Sequence, residues 1–215
     1  MLVTVPIIAD TDRVARAGPL MSRFLLFLLV AAVLGETRLP GVLLKPDAAD
    51  AMSVRDVDGR SWTPLAPAPG QNHLLFFIAT DCPISNRYVP EITRLCRDYQ
   101  PRGVRCFTIY PEAVDAGAVK RHRQEYGIDA AIPAILDRDH RLVAAVGPRV
   151  TPEAAIYSPA GRRYRGRIDN WYIDVGRSRR EATQRDLRLA LDASLAGRTI
   201  AQPETEAIGC VIPKS

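Results

Sequence analysis

Cys82 is the residue of this 215-residue chain best placed for covalent chemistry. It stands in Thr80-Asp81-Cys82-Pro83-Ile84-Ser85-Asn86, directly after the apolar run HLLFFIA of residues 73–79. Proline is favoured in the first turn of a helix, so Pro83 predicts a helix start with Cys82 as its N-cap. A thiol there faces unpaired backbone N–H groups and the positive end of the helix dipole. Both stabilise the nucleophilic thiolate. Asp81 acts in the opposite direction, because a neighbouring negative charge disfavours a second one. Ser85 lies over the same turn, and its hydroxyl is expected to reach the sulfur. The competing reading makes Cys82 a small buried hydrophobe, the commonest fate of free cysteine. Its place where a strand meets a helix favours a reactive thiol.

The other candidates are weaker. Cys96 falls on the apolar face of the Cys82 helix and Cys106 in a buried strand, so both are expected as inert core thiols. His122, in Lys120-Arg121-His122-Arg123, reads as part of a solvated helix face. Trp171 and Tyr172 could line a groove, but burial in the core is the expected fate of such rings. Three histidines with no ligand-pair spacing give no expectation of a metal, and no cofactor motif is present. Lys+Arg 29 against Asp+Glu 24 leaves a mild excess of +5. The clusters Arg162, Arg163, Arg165 and Arg177, Arg179, Arg180 read as solvated basic faces. No nucleic-acid motif accompanies them, so no nucleic-acid partner is expected. With 47% hydrophobic and 25% charged residues, whole-chain disorder, collagen and coiled coil are excluded. Four cysteines are too few for a disulfide-stapled scaffold.

The elements that must position Cys82 follow from pattern. VRDVDGRSW (residues 54–62) is expected as a short hairpin about Asp58-Gly59. Residues 73–79 suit a central strand buried on both faces. Ile84, Tyr88, Ile92, Leu95, Cys96 and Tyr99 recur at threes and fours, giving a helix over 83–99 with a kink at Pro90. VRCFTIY (104–110) is a second buried strand, parallel to the first because a helix joins them. A polar helix is expected over 112–126, closed by Gly127. Short elements fall at 133–137 and 141–147. Strands at 153–157 and 164–168, turning at Ala160-Gly161, form a hairpin. A helix over 181–196, with Leu187, Leu191 and Leu195 on one stripe, ends at Gly197. The order is strand, helix, strand, helix, strand, strand, helix, which makes one mixed sheet with helices on both faces.

The N-terminus has a different character. FLLFLLVAAVL (residues 24–34) carries no charge, Arg23 precedes it and small residues end at Gly35. This is the layout of a secretory signal, with Met21 as the natural start and residues 1–20 an upstream extension. The run is short for a membrane span, so cleavage near Glu36 is expected; retained, residues 24–34 would anchor the chain to a membrane. Either outcome predicts a periplasmic or secreted protein, in which cysteine pairs can oxidise. A linker over 36–52, a domain over 53–197 and a tail over 198–215 carrying Cys210 complete the layout.

A strand running into Cys82-Pro83-Ile84-Ser85, a Pro90 kink and Val150-Thr151-Pro152 before a hairpin together resemble the thioredoxin-like superfamily. The match covers roughly residues 53–197. More narrowly, Asp81-Cys82-Pro83-Ile84-Ser85 with terminal Ala207-Ile208-Gly209-Cys210 is similar to extracytoplasmic redoxins of the alkyl hydroperoxide reductase/thiol-specific antioxidant group. The resemblance implies a three-layer α/β/α sandwich with a mixed central sheet. It gives Cys82 the nucleophile's place, with Ser85 and Pro83 flanking it, and makes Pro152 a cis-proline packed beside it. Thr151, pairing its backbone with an extended substrate, and Pro83 would be the substrate-binding residues. The implied activity is thiol–disulfide exchange on protein or small thiols.

Two departures bear on this. Ser85 stands where a dithiol motif has its second cysteine, so a thiol from elsewhere must resolve any intermediate on Cys82. Cys210, in a tail expected to be flexible, is the candidate; a bond to a second protomer, or none, stays open. Ala79 and Leu75 replace the Thr and Pro of the peroxidase pattern, which sets peroxide below exchange as the substrate. Asn86 replaces a second copper-ligating cysteine, leaving a non-catalytic copper- or partner-binding module as a further alternative. Oligomeric state is not legible.

Overall fold

The computed structural model describes residues 52–213. The expected export signal, and all of the expected linker but Met52, lie outside them.

The hairpin β1 (Val54–Arg55) and β2 (Ser61–Trp62) forms as the Asp-Gly pair predicts, antiparallel with Val54 opposite Trp62. β3 (Asn72–Phe77) is buried along its whole length, as a central strand must be. α1 (Pro83–Tyr99) follows, capped by Cys82 and continuous through Pro90. A 3-10 turn then leads into β4 (Val104–Tyr110), parallel to β3. α2 (Ala116–Tyr126) starts four residues later than the pattern suggested, because the Asp115 side chain caps the helix there by accepting from Ala118 N–H at 2.7 Å. Gly127 closes it in the left-handed conformation.

β5 (Ala134–Leu136) adds parallel to β4, and α3 (Arg141–Val146) follows. Next come β6 (Val150–Thr151), β7 (Glu153–Ser158) and β8 (Gly161–Gly166). β8 begins and ends earlier than expected, since the turn occupies only Pro159 and Ala160. β9 (Tyr172–Asp174) and β10 (Arg177–Ser178) make a small exposed hairpin. α4 (Asp186–Leu195) is shorter than the predicted 181–196, because the chain before it bends, with the Thr183 and Gln184 N–H groups donating to the Asn170 side chain. The last strand is β11 (Cys210–Val211).

The central sheet has the order β5-β4-β3-β7-β8, with β7 antiparallel to β3 and β8 antiparallel to β7. Side chains alternate across a strand, so β3 feeds two cores. Leu74 and Phe76 pack with residues of α1, α2 and α4, and Leu75 and Phe77 with α3 and the first hairpin. Helices on both faces of a mixed sheet make the thioredoxin-like three-layer α/β/α sandwich.

Both outer strands of the sheet are bridged. Beside β5, Asp56 pairs with Ile135, and Val57 N–H donates to the Ala134 carbonyl at 2.8 Å. Beside β8, Arg165 N–H donates to the Pro203 carbonyl and Thr205 N–H to the Arg165 carbonyl. The tail is therefore docked, in contrast to the flexible segment expected from its Pro and Gly content. Gly166 allows the approach, since a Cβ there would overlap Thr205. Arg162 and Arg165 both reach Glu204, so this basic cluster is partly an ion-pair seam and not only a solvated face.

Candidate active site

Cys82 sits at the N-terminus of α1 with extended backbone, and its sulfur accepts from the Ser85 backbone N–H at 3.4 Å. The expected contact with the Ser85 hydroxyl is not the one formed. That hydroxyl is fully buried and accepts from Ala79 N–H at 3.4 Å, tying the end of the strand to the helix. Pro83 is exposed in the first helical turn.

The second wall is β6. The Thr151–Pro152 peptide is cis, and the Thr151 carbonyl oxygen lies 3.1 Å from the Cys82 sulfur. The third wall is the tail. β11 pairs antiparallel with β6, setting Cys210 opposite Thr151 and Val211 opposite Val150. Ile212 N–H donates to the Arg149 carbonyl at 3.0 Å and extends the contact. Gly209 lies flat on this strand; a Cβ there would overlap the Thr151 carbonyl group. Cys82 and Cys210 are joined by a disulfide, with Cα atoms 6.1 Å apart across 128 residues of sequence. Cys82 is 1% exposed, whereas Cys210 is only half-buried.

A partly buried polar brace holds the Thr80–Cys82 turn. Glu112 accepts from Thr80 N–H at 2.6 Å. Burial pushes the Glu112 carboxyl above its ordinary range; the Thr80 N–H opposes this, and the Asp81 carboxylate adds to it. Asn86 donates to the Thr80 carbonyl at 3.1 Å, which leaves its amide oxygen as the acceptor for His122 Nε2 at 2.8 Å. His122 Nδ1 then accepts from the Tyr110 hydroxyl at 3.2 Å. Burial lowers the His122 pKa, with Glu125 opposing, which suits this neutral ring. His122 is thus 4% exposed, not solvated. Its spacing from buried Val119 and Arg123 was the sequence signal, masked by the surrounding charges.

Beside Pro152 opens a groove of about 330 Å³ whose lining includes Tyr88, Asp169, Tyr172, Glu206 and Ile208. The Tyr88 hydroxyl donates to Asp169 at 2.6 Å; burial first, then that carboxylate, keep the phenol protonated. Trp171 packs edge-on against Tyr88 at 5.6 Å, and Tyr172 is 5.9 Å away. Both rings are half-exposed, not the core aromatics expected from sequence.

The expectation of unpaired core thiols at Cys96 and Cys106 is also overturned. Cys96 faces the sheet from α1, and Cys106 points up from β4 on the same side. Their Cα atoms are 5.8 Å apart and the two form a second disulfide. Each residue read singly looked like core; only the packing of α1 on β4 brings them together. His140 bonds the Pro111 carbonyl at 2.7 Å. Among the described residues no three His, Cys, Asp or Glu side chains are grouped to hold a metal.

A family model described as the AhpC/TSA family matches residues 46–166. No curated protein matches the chain. Among solved structures, a hypothetical protein from Sinorhizobium meliloti 1021 is 24% identical with a TM-score of 0.62, the match covering 76% of this chain and 91% of that one. An uncharacterized conserved protein from Geobacillus kaustophilus is 25% identical with a TM-score of 0.61, covering 77% and 90%.

Proposed function

The chain belongs to the AhpC/TSA family, and from that premise we propose that it is a thiol–disulfide exchange protein whose redox couple is Cys82 and Cys210. The observation that carries the reading is the disulfide between a helix N-cap cysteine and a tail cysteine, seated beside the cis Thr151–Pro152 peptide. The two disulfides use all four cysteines of the chain. Such complete pairing supports work outside the cytoplasm, where disulfides persist.

Exposure sets the direction of exchange and reverses the roles expected from sequence, placing the mixed disulfide on Cys210 instead of Cys82. Cys82 is 1% exposed, so the sulfur an incoming thiolate meets is that of Cys210. Attack there forms a bond between the substrate sulfur and Cys210 and breaks the Cys82–Cys210 bond, whose electron pair leaves on Cys82. The leaving thiolate faces the Ser85 N–H and the start of α1, the better place for negative charge. A second substrate thiolate attacks the substrate sulfur of the mixed disulfide and expels Cys210. The substrate gains a disulfide, and the protein keeps the two electrons as a dithiol.

The test is a rapid mix of the oxidised protein with the alkyl monothiol 2-mercaptoethanol, an acid quench and peptide mapping by mass. The adduct is expected on Cys210, with Cys82 free. An inert Cys82–Cys210 bond would refute the exchange reading. Stoichiometric hydrogen peroxide given to the reduced protein distinguishes the alternative: sulfenic acid at Cys82 forming faster than exchange would make it a peroxidase.

A further inference from the structure

The disulfide between Cys96 and Cys106 lies at the other end of α1 from Cys82. Fourteen residues of helix separate Cys82 from Cys96, about 21 Å at the usual rise. The second disulfide is therefore outside the site described above. It is not sealed in the core. Both cysteines lie recessed in the lining of a partly open pocket of about 320 Å³, which also includes Gln71, Gln100, Gly103, Ile132 and the exposed Ala131. Cys96 is 5% exposed and Cys106 7%.

We propose that Cys96–Cys106 is a second redox centre, open to small-molecule thiols through this cavity and closed to the thiols of folded proteins. The volume is at the lower end of small-molecule sites. A thiol on a protein surface is held back by the walls, because its neighbours cannot enter with it. The half-exposed Cys210 imposes no such limit, so the two disulfides would answer to different reductants.

The chemistry needs only the small thiol. One thiolate attacks one sulfur of the pair, forms a mixed disulfide and releases the other cysteine as thiolate. A second small thiolate attacks the small-molecule sulfur, leaving as the oxidised small disulfide and releasing the remaining cysteine. Two electrons pass from two small thiols to the protein. The proposal does not rest on any activity of Cys82 and Cys210, and its failure would leave that reading untouched.

The oxidised protein is exposed to reduced glutathione or to reduced thioredoxin, trapped with a maleimide under native conditions and mapped. Glutathione is expected to open Cys96–Cys106, and thioredoxin to leave it closed. The variant Ala131→Trp, which adds bulk to the pocket lining without touching either cysteine, is expected to slow the glutathione reaction about tenfold at this pair alone, as loss of access does. Three results would overturn the proposal. The pair stays closed to glutathione until denaturant is added; thioredoxin opens it as fast as glutathione; or Ala131→Trp leaves the rate unchanged, which means entry by unfolding and not through the cavity.

Discussion

The two cysteines of the site are chemically unequal because their surroundings are. Cys82 has a helix start, the Thr151 carbonyl and almost no solvent, while Cys210 has a two-residue strand and partial exposure. The same contrast between type and surroundings governs His122. Its burial lowers its pKa from 6.5, so the folded protein resists protonating a ring that the unfolded chain protonates readily. This contribution to stability is complete above pH 6.5 and is lost as pH falls below that value toward the depressed folded pKa. Glu112, Asp137 and Glu153, all raised by burial, act with the opposite sign over the acid range. The His122 term is therefore isolated by comparison with His122→Gln, which keeps an amide donor toward Asn86. Between pH 7.5 and 5.5 the wild type is expected to lose more stability in urea than the variant. Equal losses would mean that the ring is not held neutral in the fold.

At the scale of elements, β11 on β6 is the contact that makes the Cys82–Cys210 pair. Gly209 is its fulcrum, since any side chain there meets the Thr151 backbone. Gly209→Ala is expected to weaken the seating by about 1–3 kcal/mol, the usual range for overpacking. That is roughly a five- to 150-fold fall in the equilibrium for closing Cys82–Cys210 in a fixed redox buffer. Cys96–Cys106, measured in the same sample, should not change; parallel losses at both pairs would point to general unfolding. Elements with strong periodicity were legible in the sequence: α1 matches residue for residue, and the β3–β4 pairing follows from the helix between them. The N-cap position of Cys82 was legible too, because Pro83 marks it. What was not legible depends on packing between distant segments. The docked tail, the Cys96–Cys106 bond and the buried His122 each need a neighbour that local pattern does not identify. Helix starts at 116 and 186 were missed for a simpler reason, since polar residues before them continue the composition of the helix without its hydrogen bonds.

For the whole molecule, the bridges on β5 and β8 have a consequence separate from redox chemistry. An open sheet ends in two rows of unsatisfied N–H and C=O groups, which can template another chain. Here the loop of the first hairpin blocks one row at Asp56 and Val57, and the tail blocks part of the other at Pro203–Thr205. The three arginines of β8 add charge along that margin. Residues 203–205 thus act as a guard against aggregation as well as a lead to Cys210. A chain ending at Gln202, kept in reducing agent so that Cys82 cannot cross-link, is expected to form larger species by sedimentation than the intact chain under the same conditions. An unchanged sedimentation profile would show that arginine charge alone protects β8. If the tail is the guard, any event that frees it exposes a strand margin to other molecules, and self-association becomes coupled to the state of a single covalent bond.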